Sequence, residues 1–243
     1  MSTVYYIGTS GWHYRHWAGK FYPEKSSTRE WLSYYTRTFN TVEINASFYR
    51  LPLESTFVGW HNAVPPEFRF SVKASRFITH IKRLENCEQA LTTLFERAKL
   101  LGNNLGPFLY QLPGGLKRDD ARLAAFLEML DKSCQHVIEF RDRSWLADPV
   151  FDLMRKFNTG FCIFDLPGFT SPLIVTADFA YLRFHGHTRL YSSSYSDSEL
   201  QNWAKEITNL SNSVREFYIY FNNDASGFAI DNALVLKEIL TVK

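Results

Sequence analysis

The segment "YIYFNNDASGFAIDNA" (residues 218–233) combines a strand, a polar turn and the start of a helix. Residues 218–221 are β-forming and almost entirely non-polar or aromatic. A helix-like run occupies residues 229–240. Between them, three consecutive side chains can form hydrogen bonds: Asn222, Asn223 and Asp224. A buried strand ordinarily ends in a plain turn, so this polar ending suggests that the strand end has a function.

The same alternation of strand and helix extends along all 243 residues. Strands are predicted at residues 4–9, 41–45, 68–74, 106–113, 136–141, 160–165, 179–186 and 215–223. Helices are predicted near residues 28–39, 54–62, 87–102, 119–131, 149–157, 197–208 and 227–240. Eight strands in this length, with helices between most of them, predict an α/β fold in which residues 1–243 form a single (β/α)8 TIM barrel.

An open doubly wound sheet is the structural alternative. Such sheets usually have fewer strands, and a glycine-rich turn of the form G-x-G-x-x-G follows the first one. Here the first strand is followed by "GTSGW" (residues 8–12), which does not fit that pattern. The closed barrel is therefore favoured.

Composition narrows the classes of function. Basic and acidic residues are nearly balanced, 27 against 25, so any anion site must be local. No apolar run is long enough for a membrane helix, and the N-terminus lacks the features of a signal peptide. Three widely spaced cysteines predict reduced thiols rather than a disulfide frame, so we expect a cytoplasmic protein with no membrane partner.

Polar residues gather at the predicted carboxyl ends of the strands, where TIM barrels place their active sites. The catalytic candidates are Glu43, Glu139, His185 and Asp224. The substrate-binding candidates are Trp12, Asn45, Tyr49, Lys73, Gln111, Arg141, Asp165, Arg183, Asn222 and Asn223. The opposite strand ends are mostly apolar, and this asymmetry is the strongest functional signal in the sequence.

Each group also has a structural interpretation. The carboxylates could pair with the basic residues inside the barrel, because buried charges are costly unless they are paired. The aromatic residues of the loop at 12–22 could pack as a lid or could stack on a sugar or a base. Basic side chains outnumber acidic ones at the strand ends, which favours an anionic ligand such as a phosphorylated or sugar-like molecule. No H-E-x-x-H motif is present, so no metal site is assigned and the cofactor stays undefined.

The chain resembles the domain of unknown function 72 family, whose members are often called YecE-like. The resemblance covers nearly the whole sequence and rests on seven ordered motifs: "GTSGWHYRHWAGKFYP", "VEINASFYRLP", "FSVKASRFITHIKRL", "QLP", "EFRDRSW", "YLRFHG" and "YIYFNNDASGFAIDNA". It implies a TIM barrel, in agreement with the strand count, and it implies no established activity.

The fold of that family is similar to the xylose isomerase and endonuclease IV group, which by analogy suggests nucleic-acid binding or repair. Endonuclease IV uses a histidine-rich zinc cluster. Of the 7 histidines here, only His80 and His185 are well placed, so the resemblance does not extend to such a cluster.

Three hypotheses follow. The chain could be an enzyme that acts on a small anionic substrate by hydrolysis, isomerisation or lyase chemistry, with carboxylates as acid and base. It could instead bind short single-stranded nucleic acid by stacking bases and contacting phosphates. It could also bind a regulatory metabolite without turnover.

Overall fold

The computed structural model describes residues 3–241 of the chain. Its strands are β1 (Val4–Thr9), β2 (Thr41–Ile44), β3 (Arg69–Lys73), β4 (Leu105–Gln111), β5 (His136–Glu139), β6 (Gly160–Leu166), β7 (Phe169–Thr170), β8 (Ala180–Phe184) and β9 (Glu216–Phe221). The parallel strands follow the order β1-β9-β8-β6-β5-β4-β3-β2, and the two-residue β7 pairs antiparallel with β6. The predicted α/β fold, a (β/α)8 TIM barrel, is confirmed.

Helices surround the barrel and connect its strands. They are α1 (Trp31–Tyr35), α2 (Ala46–Tyr49), α3 (Glu54–Asn62), α4 (Glu88–Ala98), α5 (Asp120–Glu128), α6 (Asp148–Lys156), α7 (Asp197–Leu210) and α8 (Phe228–Thr241). Among the described residues, no helix has the length and apolar character needed to cross a membrane. The sequence did not predict α2 or a π-helical turn at Phe77–Ile81, because both are too short to show a helical period.

The inside of the barrel is packed in its lower part and polar at the carboxyl ends of its strands. Alternate residues of a strand point to the same side, so each strand contributes every second residue to the interior. The lower part is a cluster of apolar and tyrosine side chains: Tyr6, Leu109, Val137, Cys162, Phe179, Tyr181, Tyr218 and Tyr220. A larger apolar cluster packs the strands against the helices. Polar groups at the strand ends therefore lie above a filled core.

Side chains close the barrel where β1 meets β2. The backbones share a single parallel bridge between Ser10 and Glu43. Elsewhere the Asn40 amide spans the gap, since its Oδ1 accepts from Ile7 N at 3.1 Å and its Nδ2 donates to Tyr5 O at 2.8 Å.

The Tyr35 hydroxyl spans the same gap nearer the carboxyl ends of the two strands. It accepts from Thr9 N at 2.9 Å and donates to Thr41 O at 3.1 Å. Gly8 allows this close approach, because a Cβ atom there would lie 2.2 Å from Thr41 O. We call this junction the β1–β2 seam.

Candidate active site at the barrel mouth

Six ionisable side chains meet at the carboxyl ends of the strands. We call them the mouth cluster: Glu43, Lys73, Glu139, Arg141, Arg183 and His185. Glu139 and Arg141 are two residues apart, as are Arg183 and His185, so each pair projects from one face at successive heights. The structure therefore brings together candidates that the sequence places on four different strands.

Arg183 lies at the centre of the mouth cluster and is fully buried. Its Nη2 donates to Glu43 Oε1 at 2.7 Å, and its Nη1 donates to Glu139 Oε2 at 2.5 Å. The planar guanidinium therefore bridges carboxylates that come from two strands. The hydrogen-bonded ion pairs offset the large free-energy cost of removing these charges from water. Unpaired ions would have no such compensation.

Glu43 is held by more than Arg183. Tyr181 donates to its Oε2 at 2.7 Å and Ser10 donates to its Oε1 at 2.8 Å. Burial alone would raise the pKa of Glu43, but the charges of Arg183 and Lys73, with these two hydrogen bonds, hold the pKa below its ordinary value. Glu43 is thus a permanently ionised acceptor and a weak base.

Glu139 is also fully ionised. Burial opposes its charge, yet the guanidinium groups of Arg141 and Arg183 outweigh burial and hold its pKa well below the ordinary range. Arg141 forms an ion pair with Glu139 and keeps part of its side chain exposed, with 12% of the surface accessible. Arg141 is therefore the guanidinium of the cluster that an incoming ligand can reach.

His185 is a neutral imidazole in this setting. Burial and then the charge of Arg183 lower its pKa to about 3. Its Nε2 lies 3.1 Å from Arg141 Nη2 and 3.4 Å from Glu139 Oε1, and its Nδ1 lies 3.2 Å from Asn222 Nδ2. A neutral ring can accept a hydrogen bond without adding a resident charge to the cluster.

Lys73 differs from the other charged members of the cluster because it has no partner. Only 9% of its surface is exposed, and no described side chain forms a hydrogen bond or ion pair with its Nζ. Nζ lies over the Phe48 ring, 4.4 Å from the ring centroid. Burial, followed by the charge of Arg183, lowers the pKa of Lys73 to about 8.

Replacing Lys73 with methionine is expected to raise the free energy of unfolding by about 1–3 kcal/mol at pH 7, because a desolvated and unpaired charge is removed. The gain in stability of the variant over the wild type should shrink between pH 7 and pH 9.5. The unfolded chain binds more protons at Lys73 once the pH exceeds about 8, so wild-type stability rises with pH in that window.

Denaturant unfolding at both pH values measures this difference. Lys117→Met is the matched control, because Lys117 is exposed and pairs with Asp142 at the surface. That control should change stability by less than about 0.5 kcal/mol. Destabilisation by Lys73→Met would show that the lysine is part of the structural network.

Amide side chains line the site above the cluster. Asn222 faces His185. Gln111 is half-buried and lies beside Glu139, its partner in the register of β4 and β5. The Oδ1 atom of Asn45 is buried and lacks a hydrogen-bond partner among residues 3–241. These groups remain available to orient a ligand.

Asn223 and Asp224 hold loops in place. Asn223 is fully buried, and its Nδ2 donates to Ser193 O and to Asn232 Oδ1, both at 2.8 Å. The Asp224 carboxylate accepts from the Trp17 indole at 2.9 Å. Consecutive side chains at the end of the last strand therefore point in different directions: Asn222 faces the site, whereas Asn223 and Asp224 hold loops. These separate roles explain the polar ending of that strand.

Asp224 also lies 2.9 Å from His16 Nε2, so it anchors the aromatic loop to the end of β9. Burial raises the pKa of Asp224 to about 6, although hydrogen bonds from Trp17 and the charge of His16 oppose that rise. The carboxylate lies at the rim of the site, apart from the cluster's ion pairs.

Asp165 lies outside the barrel interior. Cys162 and Phe164 take the inward positions of β6, so the next residue points toward the helices. Asp165 accepts from Tyr195 Oη at 2.8 Å and from Thr170 Oγ1 at 2.6 Å. The structure therefore does not bring Asp165 to the mouth cluster.

The aromatic candidates occupy two different environments. Trp12 is largely buried and packs edge-on against Trp60, with ring centroids 5.3 Å apart. Tyr49 is 75% exposed beside Phe48. Since Trp17 and Tyr22 are also buried, the loop at 12–22 packs mainly as a lid.

Sequence reasoning missed Tyr181, whose hydroxyl contacts both Glu43 and Ser71. It also left Ser10 and Phe48 out of the candidate set. Because alternate residues of a strand face the same side, the residue two positions before Arg183, which is Tyr181, could have been predicted to face the interior. No comparable signal marks Phe48, because α2 alone brings its ring over Lys73.

Within residues 3–241, no group of three or more His, Cys, Asp or Glu side chains is arranged to hold a metal ion.

Comparison with known proteins agrees with this architecture. Residues 6–243 match the family model for a protein of unknown function, DUF72. The chain is 26% identical to UPF0759 protein YunF of Bacillus subtilis, over 98% of this chain and 95% of that protein. It is 28% identical to UPF0759 protein YecE of Escherichia coli K12, over 58% of this chain and 50% of that protein.

A crystal structure of a DUF72 family protein from Thermotoga maritima is also similar. It superposes with a TM-score of 0.86 at 31% identity and covers 97% of this chain and 98% of that one. The barrel is therefore the architecture of a known group, and the chain belongs to the DUF72 family of proteins of unknown function.

Proposed function

We propose that this protein is an enzyme that binds a small carboxylate- or phosphate-bearing molecule at the barrel mouth and acts on it by acid/base chemistry. The observation that supports this most directly is the unpartnered, nine-tenths buried Lys73 at the end of β3. A structural role would give such a charge a partner, because unpaired buried charges destabilise the folded state.

The charge of the mouth cluster favours an anion. Arg183, Arg141 and Lys73 carry three positive charges, while Glu43 and Glu139 carry two negative ones. The excess positive charge lies in a mostly dehydrated site, where it attracts an anion more strongly than an exposed charge would. Arg141 and Lys73 would contact the ligand, since Arg183 is enclosed by the carboxylates.

Acid/base work suits Lys73 better than the two glutamates. Efficient proton transfer needs a group whose pKa lies near the working pH, and the pKa of Lys73 is about 8. His185, a neutral imidazole, would help to orient Arg141. Glu43 and Glu139 would keep the roles of fixed anions that position Arg183 and Arg141.

Single-stranded nucleic acid is the second candidate. Tyr49 and Phe77 are exposed aromatic residues on neighbouring segments, which touch through Phe48 and His80 with ring centroids 5.1 Å apart. Arg50 and Arg76 are exposed beside them. Exposed rings with flanking guanidinium groups are the features that stack bases and contact phosphates.

A thermal-shift screen with sugar phosphates, short carboxylates and a short single-stranded oligonucleotide tests both proposals. Anionic small molecules should raise the melting temperature of the wild type and of Lys117→Met. The shift should be lost in Lys73→Met and in Arg141→Gln, and it should weaken above pH 8 as Lys73 loses its charge. Equal shifts in Lys73→Met and the wild type would refute the anion site.

Salt dependence separates the two ligand classes. A single small anion gives a shallow fall of affinity with salt, whereas several phosphate contacts give a steep one. Stabilisation by the oligonucleotide alone, with a steep salt dependence and loss in Tyr49→Ala, would favour the second candidate.

A further inference from the structure

We propose that Lys73 is a nucleophile that forms a Schiff base with a small aldehyde or ketone bearing a carboxylate or a phosphate. This inference rests on the proposed anion site and names both the substrate class and the covalent step. It starts from the geometry around one nitrogen atom.

The fold holds Lys73 in a defined place. The Ser47 hydroxyl is 2.6 Å from the carbonyl oxygen of Lys73 and 3.1 Å from that of Ile44. These contacts tie α2 to the end of β3 and place the Phe48 ring over Nζ. The amine is therefore shielded from water on one side and faces the mouth cluster on the other.

No acidic side chain within the described chain neutralises this amine by an ion pair. Glu43 and Glu139 are engaged by Arg183, and Glu139 also by Arg141. A lysine next to another cation and removed from water becomes a nucleophile at neutral pH. A lysine that served only to hold charge in this buried position would be paired with a carboxylate, so the lack of such a partner among the described residues points to chemistry at Nζ.

The neutral amine is abundant at working pH. At pH 7 the neutral fraction is roughly 300-fold larger for a pKa of about 8 than for the ordinary 10.5. Exposed lysines such as Lys117 lack the burial that produces this difference. Selective reaction at Lys73 therefore follows from its position.

The proposed step is balanced without an added oxidant or reductant. The amine adds to the carbonyl carbon, a C–N bond forms, and the carbonyl π electrons pass to oxygen. The carbinolamine hydroxyl then leaves as water, so that the ammonium and the carbonyl compound yield a protonated imine and one water molecule.

The anionic group of the substrate would pair with Arg141. Its guanidinium is partly exposed, and its buried Nε has no hydrogen-bond partner among residues 3–241. A carbonyl carbon held within reach of Lys73 would then have its charged group on the side of Arg141. Glu43 and Glu139 lie close enough to stabilise the positive imine, since both raise the pKa of Lys73.

Reduction with cyanoborohydride traps an imine as a stable secondary amine. The full-length protein is incubated at pH 7 with glyoxylate or pyruvate, with dihydroxyacetone phosphate, or with neutral glyceraldehyde, and is then digested and mapped by mass spectrometry. Lys73 should gain the mass of the carbonyl compound less one oxygen atom. Its labelling should exceed that of the exposed Lys117 by at least about tenfold, because the lowered pKa of Lys73 enlarges its own neutral fraction.

Variants test which residue is responsible. Lys73→Arg keeps the charge and should lose the adduct, whereas Lys117→Arg should label like the wild type. Arg141→Gln should lower labelling by the anionic compounds to the level found with the neutral one. A preference for the oxo acids or for the phosphorylated ketone identifies which anionic group the site takes.

The same protein samples are assayed by thermal shift with inorganic phosphate and with lactate, which carry no reactive carbonyl. Anion stabilisation without any adduct at Lys73 would overturn the nucleophile and leave the anion site standing. Uniform labelling of Lys73 and Lys117 would overturn it as well. Absence of both the adduct and the stabilisation would refute the proposed function together with this inference.

Discussion

Replacing Arg183 with methionine is expected to lower the free energy of unfolding by about 3–5 kcal/mol at pH 7. The reason is the pair of fully buried carboxylates that Arg183 bridges, Glu43 and Glu139. Without the guanidinium, Glu43 keeps its hydrogen bonds from Tyr181 and Ser10, but both carboxylates lose the ion pair that offsets their desolvation. Urea or guanidinium unfolding at 25 °C measures the loss.

The loss should depend on pH with a definite sign. In the wild type the pKa values of both glutamates are lowered, so their contribution to stability is present at neutral pH and falls as the pH drops through those values. In the variant the same carboxylates gain protons more easily. The difference between the two proteins should therefore shrink on acidification.

Arg155→Ala is the matched control, because Arg155 forms an exposed ion pair with Asp152 on one helix. Its effect should stay within about 0.5 kcal/mol. Arg183→Lys should not restore stability fully, since an ammonium group cannot bond two carboxylates with a planar fork. A loss in Arg183→Met no larger than that of Arg155→Ala would contradict the bridging role.

Gly8→Ala is expected to destabilise the protein by about 3 kcal/mol or more, through overpacking at the β1–β2 seam. The added Cβ atom would lie 2.2 Å from Thr41 O and 2.8 Å from the Tyr35 hydroxyl. The first of these atoms belongs to the backbone of a neighbouring strand and cannot rotate away. The seam must therefore open, and with it the hydrogen bonds that Tyr35 makes across the gap.

Gly59→Ala provides a control in which the same substitution should have the opposite sign. Gly59 lies inside α3, and a Cβ atom there would meet nothing within 4 Å. Alanine should stabilise the helix by about 0.5–1 kcal/mol, because it loses less backbone freedom on folding. Thermal and denaturant unfolding of both variants give the comparison, and equal effects would show that the seam tolerates a wider separation.

The contrast between Arg183 and Lys73 separates stability from function within one cluster. Arg183 is expected to stabilise the fold, whereas Lys73 is expected to destabilise it. Active sites often retain groups that are unfavourable for folding, because chemistry requires their reactivity. Stability measurements on the two variants therefore test the different roles proposed for Arg183 and Lys73.

Much of the fold could be predicted because its signals are local. Each of the eight predicted strands is present, and the segment at 54–62 matches α3 at both ends. Strand ends were placed one or two residues too far in several cases, as at 106–113, where β4 ends at Gln111. The sequence shows where polar residues follow a strand. The last residue of the strand, however, is determined by its hydrogen bonds to the neighbouring strands.

The candidate site was predicted less completely. Glu43 and Arg183 are separated by 140 positions in sequence, and no local pattern shows that they share a hydrogen bond. Asp165 was included with the strand-end residues, but a shift of one residue in the alternation of β6 turns it outward. Whether a side chain enters the barrel depends on whether its residue occupies an inward or an outward position in the strand's alternation. Closeness to the end of the strand does not decide it.

The sequence by itself determined the barrel, its eight parallel strands and the end at which polar groups collect, because hydrophobic period and strand-end composition are encoded locally. Tertiary structure alone decided that Glu43, Glu139 and Arg183 neutralise one another and that Lys73 does not take part. It also decided that side chains, rather than a full ladder, close the β1–β2 seam. Such pairings depend on the distance between groups that are remote in the chain, and that distance exists only after the barrel has closed.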